Sequence, residues 1–389
     1  MTELSEHRVL VLHNRYRVAG GEERFAAQLV ELLGRSAGAA ALLERSSAET
    51  GALAAGTGML RGGLRPDEVA DAVRRCGATI VHAHNIHPTL GHRALAAARA
   101  AGAATVLHLH NYRLFCAIGT VWRDGADCTD CAPNRTGHGF AHNCRGSLPE
   151  AATYALGLGR GQRRLLAAVD RFAAPVRQLG EDLAGLGLDL PLTVLPSWLP
   201  ESEFAQRSQA RDGEYAFYAG RLTGEKGVLT AIEASARSGV PLRIAGDGPD
   251  AERAVRLARE LAAPVELLGR IDGQALVAAR MGAAFAVVPS LWREVLPLSA
   301  LESLAAGLPL VTSDRGGLPE LTERTLALPA GDAGALGATM RRLIDDPAER
   351  EAAGRRALVR AREHFSERAF VPRLAALYDA ARAARGSGR

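Results

Sequence analysis

A chain of 389 residues, 47% hydrophobic and 23% charged, is long enough for two domains of ordinary size and has the composition of a soluble globular protein. The start, Met-Thr-Glu-Leu-Ser-Glu-His-Arg, lacks the basic opening and apolar core of a signal peptide, and no uninterrupted apolar run is long enough to span a bilayer, so a cytoplasmic protein is expected. A formal charge of +4 suits a phosphorylated ligand or peripheral contact with an anionic membrane surface and does not call for a nucleic-acid partner.

Arg8 to His13 reads as a first buried strand. It is followed by Gly20 and Gly21 and then by the helical pattern from Phe25, a place where bare backbone amides can approach an anion closely. Residues 36 to 63 are rich in Ala, Gly and Ser and read as a poor strand and a loop. Two stronger strands follow, from Ala78 to His84 and from Ala104 to His110, delivering His84, Asn85, His110 and Asn111 to what would be the carboxyl edge of a sheet. His82 and His108, two residues earlier, read as structural histidines.

Four of the five cysteines follow as Cys116-x11-Cys128-x2-Cys131-x12-Cys144, in a stretch without apolar period and with His138 and His142 inside the last interval. A Cys-x2-Cys knuckle with further cysteines nearby has the local geometry of a closed structural zinc site, with reduced or disulfide-linked cysteines as the alternatives. After Pro149 a helix to about Val169 is expected, with an arginine-rich face that reads as solvated. A strand from Arg171, a short helix from Val176 to Leu186 and a last strand from Leu192 follow. The prolines from Pro191 to Pro200 place a hinge near Ser197.

The second half opens with a strand into Gly220-Arg221-Leu-Thr-Gly-Glu-Lys226-Gly and a helix near Val228. Two cations at a strand-to-helix turn, with helix amides behind them, make a receptor for a diphosphate. Gly246-x-Gly248-x-x-Ala251 imitates a dinucleotide fingerprint. However, Pro249 occupies the turn and Glu266 opens the next apolar run rather than ending it, so dehydrogenase chemistry is not expected. A strand from Val265 ends at Gly269-Arg270-Ile271. Then Val288 to Gly307 places Glu294 in a Pro-containing loop and Glu302 early in an apolar helix beginning near Ser299. There a carboxylate beside the dipole-positive end can accept hydrogen bonds from paired hydroxyls. Leu308 to Ser313 reads as a strand, Arg315 to Glu320 as a turn into another helix, 334 to 364 as charged helices and Val371 to about Ala384 as the last helix.

The Glu294-x7-Glu302 spacing, with Pro-Ser before it, Pro-Leu within it and Leu-Ala-Ala-Gly after it, resembles retaining glycosyltransferases of family 4. So do Gly-Arg-Leu-x-x-Glu-Lys-Gly and Gly-x-Gly-Pro. The resemblance implies the GT-B fold, two Rossmann-like α/β domains facing a cleft. Residues 1–197 would bind the acceptor and carry the Cys-rich insertion, 198–368 would bind the nucleotide sugar, and 369–389 would form a helix crossing back. It further implies that Arg221 and Lys226 stabilise the departing diphosphate, Glu294 holds donor-sugar hydroxyls and Glu302 binds ribose hydroxyls. Gly20, Gly21, Gly220, Gly248, Arg270, Ile271 and the backbone of Val295, Leu296, Pro297 and Leu298 would line the donor, His110 would lie near its sugar, and His84 and Asn85 would face a hydroxyl-bearing acceptor. No side chain stands out as a covalent nucleophile, so a front-face reaction with the leaving phosphate as base, and without a catalytic cofactor or metal, is expected. A phosphorylase of the same fold and a non-catalytic sugar-nucleotide sensor are the competing readings. Donor base, sugar, acceptor and oligomeric state are not encoded in these motifs.

Overall fold

The computed structural model describes residues 4–17 and 20–387 and divides into two compact units, one of residues 1–123, 128–195 and 371–389, the other of 124–127 and 196–370. In the first, the elements are β1 (Arg8–Arg15), α1 (Gly21–Ser36), β2 (Ala39–Ser46), α2 (Ala52–Arg61), α3 (Pro66–Cys76), β3 (Ile80–Ala83), α4 (Gly91–Ala100) and β4 (Ala104–His108). Next come β5 (Trp122–Arg123), then, past the two-residue β6 (Ala126–Asp127), which counts with the second unit, α5 (Gly137–Ala141), α6 (Leu148–Ala167), β7 (Arg171–Ala174), α7 (Arg177–Gly185) and β8 (Leu192–Val194). The six long-range strands form one parallel sheet in the order β2-β1-β3-β4-β7-β8. β1 and β3 are buried almost end to end, as parallel strands covered on both faces require.

Two elements depart from the sequence reading. Residues 36 to 63, where composition predicts a poor strand and a loop, form the full eight-residue β2 and the helix α2. Poor β-formers pair here because the edge of β1 offers partners along its whole length, so tertiary context overrides propensity. In α2, Gly58 costs helix propensity but permits packing, since a Cβ there would stand 2.7 Å from the Pro88 carbonyl oxygen.

The second unit contains β9 (Ala216–Ala219), α8 (Val228–Ser238), β10 (Leu242–Ala245), α9 (Ala251–Glu260), β11 (Val265–Gly269), α10 (Gly273–Met281), β12 (Phe285–Val288) and α11 (Leu298–Ala305). It continues with β13 (Leu310–Ser313), β14 (Ala327–Leu328), α12 (Ala333–Asp345), α13 (Pro347–Phe365) and α14 (Glu367–Ser387), the division between units falling inside α14. Its parallel sheet runs β11-β10-β9-β12-β13-β14. Ile232, Leu336 and Met340 pack on one face with Ile244, while Leu301, Leu304 and Phe365 pack on the other with Phe217. The helix expected after Arg315 is only a 3-10 turn, Leu318–Glu320, and α14 starts four residues before the expected Val371. Among the described residues no helix is long and apolar enough to cross a membrane.

Candidate functional site

In each sheet the chain builds outward in one direction from its first strand and then returns to that strand's other side. The reversals fall between β1 and β3 and between β9 and β12. Loops leaving neighbouring strand ends diverge there, which makes the carboxyl edge at these two points the natural ligand crevice of each sheet.

At the second sheet's switch point, the turn after β9 carries Arg221 and Lys226, and the loop after β12 carries Glu294. Lys226 Nζ donates to Glu294 Oε1 at 2.6 Å, and Ser290 Oγ donates to the same oxygen at 2.7 Å. The ammonium also lies 4.8 Å from the centre of the Trp292 ring. Glu294 is 4% exposed. Burial alone raises a carboxyl pKa, but the Lys226 charge and these hydrogen bonds outweigh it, so Glu294 lies below its ordinary value and stays ionised.

The two loops are fastened by backbone. Leu291 N–H donates to the Glu225 carbonyl at 2.8 Å, and Gly317 N–H to the Glu294 carbonyl at 2.7 Å. Gly227 (φ 70°) packs so tightly that a Cβ would stand 1.9 Å from the Pro289 carbonyl oxygen. Arg221 differs from Lys226: its side chain is 65% exposed and its guanidinium is 3.9 Å from Glu225, leaving it reachable by an incoming anion.

Glu302 projects from the middle of the eight-residue α11 and is ion-paired with Arg280, a buried residue near the end of α10. Arg280 was not among the sequence candidates. Its partner lies 22 residues away on another helix, and no local pattern announces the pairing. Pro297 caps α11, Leu298 opens it, and Val295 and Leu296 are half-buried ahead of it. Gly248 has a packing role of its own, since a Cβ there would stand 2.4 Å from the Leu222 carbonyl oxygen. Gly220 N–H pairs with the Ala245 carbonyl at 3.0 Å, and Arg270 and Ile271 leave the end of β11, Arg270 exposed.

At the first sheet's switch point, Asn14 and Asn85 tie the ends of β1 and β3 together: Asn85 Nδ2 donates to the Asn14 carbonyl at 2.6 Å and Asn14 N–H to the Asn85 carbonyl at 2.8 Å. Gly20 caps α1 and Gly21 is its first residue. The loop is held by Glu23, whose carboxylate accepts from Gly20 N–H at 2.7 Å and from Tyr16 N–H at 2.9 Å. Burial would raise the Glu23 pKa, but the His13 contact and these amides hold it at about 2. A glycine three residues ahead of a glutamate is half of a capping box, a legible signal that the sequence reading passed over.

His84 and His110 sit one and two residues past their strands with His84 Nδ1 3.0 Å from His110 Nε2. They end a ladder of stacked imidazoles, His82 on His84 at 4.7 Å and His108 on His110 at 4.4 Å, with His82 Nδ1 3.0 Å from the Tyr378 hydroxyl. Burial, reinforced by neighbouring histidines, lowers the whole ladder: His82 and His110 fall to about 3 and His84 and His108 well below the ordinary value. His110 is therefore a neutral hydrogen-bonding group. Glu22, His84, Asn85, His110, Asn111 and Arg113 line one small cavity, and loss of hydration raises the half-buried Glu22 carboxyl to about 7. Glu22 is a further residue not picked from sequence, because its surroundings come from β3 and β4.

Cys116, Cys128, Cys131 and Cys144 are not joined by disulfides and line another cavity of the first unit, together with Arg123 and His138. Among the described residues, two triads bring one donor atom each within 4.8 Å of the others: buried His82, His84 and His108, and Asp130, His138 and His142 at the surface. The rings of the first triad lie stacked, His82 on His108 at 9°, rather than converging edge-on.

Residues 201–360, all in the second unit, match the family profile described as "Glycosyl transferases group 1". The glycogen synthase of Mycobacterium tuberculosis is 33% identical over 213 residues, covering 52% of this chain and 51% of that protein. The chain thus spans about half the length of this curated relative. A Corynebacterium glutamicum GDP-mannose-dependent phosphatidylinositol monomannoside mannosyltransferase is 31% identical over 147 residues, 34% of this chain and 39% of that protein. Among solved structures, the sucrose-phosphate synthase of Thermosynechococcus elongatus superposes with a TM-score of 0.71 at 17% identity, covering 96% of this chain and 98% of that one. HepE of Anabaena in complex with UDP gives 0.67 at 14% identity over 95% and 98%. The fold is that of GT-B proteins, two Rossmann-like α/β domains.

Proposed function

We propose that the chain is a retaining glycosyltransferase of family 4, moving a sugar from a nucleoside diphosphate to a hydroxyl of a glycan, a lipid-linked glycan or a small metabolite. The observation that carries this reading is the Lys226–Glu294 pair at the β9/β12 switch point, with Arg221 exposed beside it and Glu302 on the following helix. The printed descriptions of structural neighbours, HepE with UDP and glucose and a pneumococcal O-GlcNAc transferase with UDP and GlcNAc, support the class of donor.

In this reading the diphosphate takes Lys226 and Arg221 as countercharge, with the amides ahead of α11 adding dipoles. Glu294, ionised and fixed by Ser290, accepts hydroxyls of the donor sugar, and Glu302, fixed by Arg280, accepts those of the ribose. His110 is a neutral hydrogen-bond partner for the reacting sugar, and His84 and Asn85 serve the acceptor. As the glycosidic bond breaks, the leaving phosphate oxygen takes the acceptor's proton and the new bond forms on the same face. The countercharge is built from side chains and helix amides, and the sequence has no Asp-x-Asp triplet, so turnover without a divalent metal is part of the proposal.

Thermal-shift measurements across uridine, guanosine and adenosine diphosphate sugars, followed by NMR of the product's anomeric signal, test it. Stabilisation by one donor and transfer with the anomeric configuration kept are expected. Inversion would refute the mechanism. Phosphate-dependent release of a sugar phosphate would make the chain a phosphorylase, and binding without transfer or hydrolysis a sensor.

A further inference from the structure

We infer that the segment from Cys116 to Cys144 is built around one structural zinc ion held by the thiolates of Cys116, Cys128, Cys131 and Cys144. The inference is independent of the reaction proposed above.

Four cysteines spread over this segment line the same cavity. Backbone turns put them there: Cys116 N–H bonds the Tyr112 carbonyl at 3.0 Å, Cys128 N–H the Val121 carbonyl at 2.8 Å and Cys144 N–H the Gly139 carbonyl at 3.0 Å. The segment builds little regular structure of its own and leans on α6, where Thr136 Oγ1 donates to the Ala155 carbonyl at 2.6 Å and Asn134 Nδ2 to the Gly159 carbonyl at 3.2 Å. Its regular structure is the β5–β6 hairpin, two residues a strand, and the five-residue α5, while Phe140 is left 45% exposed. A stretch that cannot build its own apolar core needs a crosslink, and small folds meet that need with disulfides or a metal.

The backbone is also under constraint here. Val121 (φ 46°), Asp124 (φ 52°) and Asn143 (φ 45°) are three of the five described non-glycine residues with positive φ, and for a β-branched valine that region is a genuine outlier. Such conformations persist where the surroundings over-determine them. A closed metal site joining both ends of the segment does so.

Two ligand sets compete for a metal in this segment. Asp130, His138 and His142 lie on its surface and offer three donors. The cysteines offer four soft ligands lining one cavity, the donor set of the closed tetrahedral sites zinc occupies in structural roles, and Arg123 on the same cavity supplies positive charge to offset four thiolates. No three of the four sulfurs stand within 4.8 Å of each other, so zinc, with bonds of about 2.3 Å, would draw the side chains inward.

The experiment uses the full chain purified without added metal. Elemental analysis should find about one zinc per chain, and stripping it with a chelator and a thiol-reactive mercurial should lower the thermal midpoint and open the segment to protease. The cobalt-substituted protein should show intense near-ultraviolet sulfur-to-cobalt charge transfer. The double variant His138→Ala/His142→Ala should keep metal and spectrum, whereas Cys128→Ser/Cys131→Ser should lose both. Because the cysteine variant can fail to fold, the cobalt spectrum of the wild-type chain decides the ligand type by itself. All five cysteines titrating as thiols in a stable metal-free protein, two disulfides, or a cobalt spectrum without charge transfer that vanishes in the histidine variant would each overturn the inference.

Discussion

Lys226 and Glu294, 68 residues apart in sequence, meet through a 2.6 Å contact across the point where the second sheet reverses its strand order. The cation that would neutralise a leaving diphosphate is thus held by the acid that would grip the transferred sugar. The contact couples the two halves of the proposed donor site. The side chain of Lys226 is 18% exposed and that of Glu294 5%, so the pair is largely withdrawn from water and its charges are weakly screened.

Loss of the Lys226 charge should therefore be felt in turnover. A cation about 4 Å from a unit charge at an effective dielectric near 20 is worth roughly 4 kcal/mol, and only part of the diphosphate charge develops in the transition state. Lys226→Ala is expected to cost about 2 to 4 kcal/mol, roughly 30-fold to 1000-fold in kcat/KM. Wild-type turnover should survive excess chelator. Near-normal activity in the variant, or full loss of wild-type activity on chelation, would show that the leaving group is neutralised by another route.

Glu294→Gln separates binding from chemistry. The amide keeps the shape but drops the charge that holds Lys226, so the ammonium becomes more available to phosphate. Affinity for the free nucleoside diphosphate, measured by titration calorimetry, should be kept or increase while kcat falls. Weaker diphosphate binding with kcat preserved would reverse the assignment. The same variant should alter the acid limb of stability. Since the folded Glu294 pKa lies below the ordinary 4.5, its stabilisation is present above that value and is lost as pH falls through the folded value. Wild type should lose its advantage over Glu294→Gln in that acid window.

Glu302 and Arg280 make the complementary case. Removing one partner of a buried pair leaves the other charge uncompensated, at a cost of roughly 3 kcal/mol. Arg280→Ala should lower stability by about that amount in urea unfolding and also weaken nucleotide binding. Glu302→Gln should weaken binding with a smaller loss of stability. If Arg280→Ala unfolds no earlier than wild type, the pair is not what fixes the acid.

These contacts mark the limit of what could be read in sequence. Local chemistry was legible: the Gly-Arg-Leu turn, the Pro-flanked Glu294 and the two His-x-His strand ends lie where short-range pattern and strand polarity put them. Pairings across the fold were not. Arg280 sits in a helix whose other residues are exposed or half-buried, yet it is itself buried against Glu302. β2 was underestimated because its alanines gain their strand partner only from β1, and α2 because Gly56 and Gly58 weaken a helix that packing then secures. The histidines at positions 82 and 108 looked structural one at a time. Only strand pairing of β3 with β4 shows that they form a continuous ladder with His84 and His110.

That ladder makes the first unit sensitive to mild acid. His82 and His110 take up a proton near 3 in the folded protein, and His84 and His108 well below 6.5, because burial strips the charged imidazole of water. In the unfolded chain each titrates near 6.5. Below that pH the unfolded state binds more protons, so stability falls as pH falls, by up to about 1.4 kcal/mol per pH unit for each histidine. The groups around the ladder are Tyr378 on α14, Phe25 and Glu23 on α1 and His13 on β1. Glu23, held at about 2, adds its own loss only below about 4.5, whereas Glu22, raised to about 7 in the folded protein, gains stability as pH falls through the same window and offsets about one histidine, so the four imidazoles of the ladder outweigh it between pH 6.5 and 5. Urea unfolding across that window should show a steep fall in stability with net uptake of more than one proton on unfolding. His108→Phe should reduce the slope by about 1.4 kcal/mol per pH unit. A flat profile between pH 6.5 and 5 would mean that the imidazoles are charged or solvated in the folded protein, and His110 could then act as an acid as well as a neutral hydrogen-bond partner.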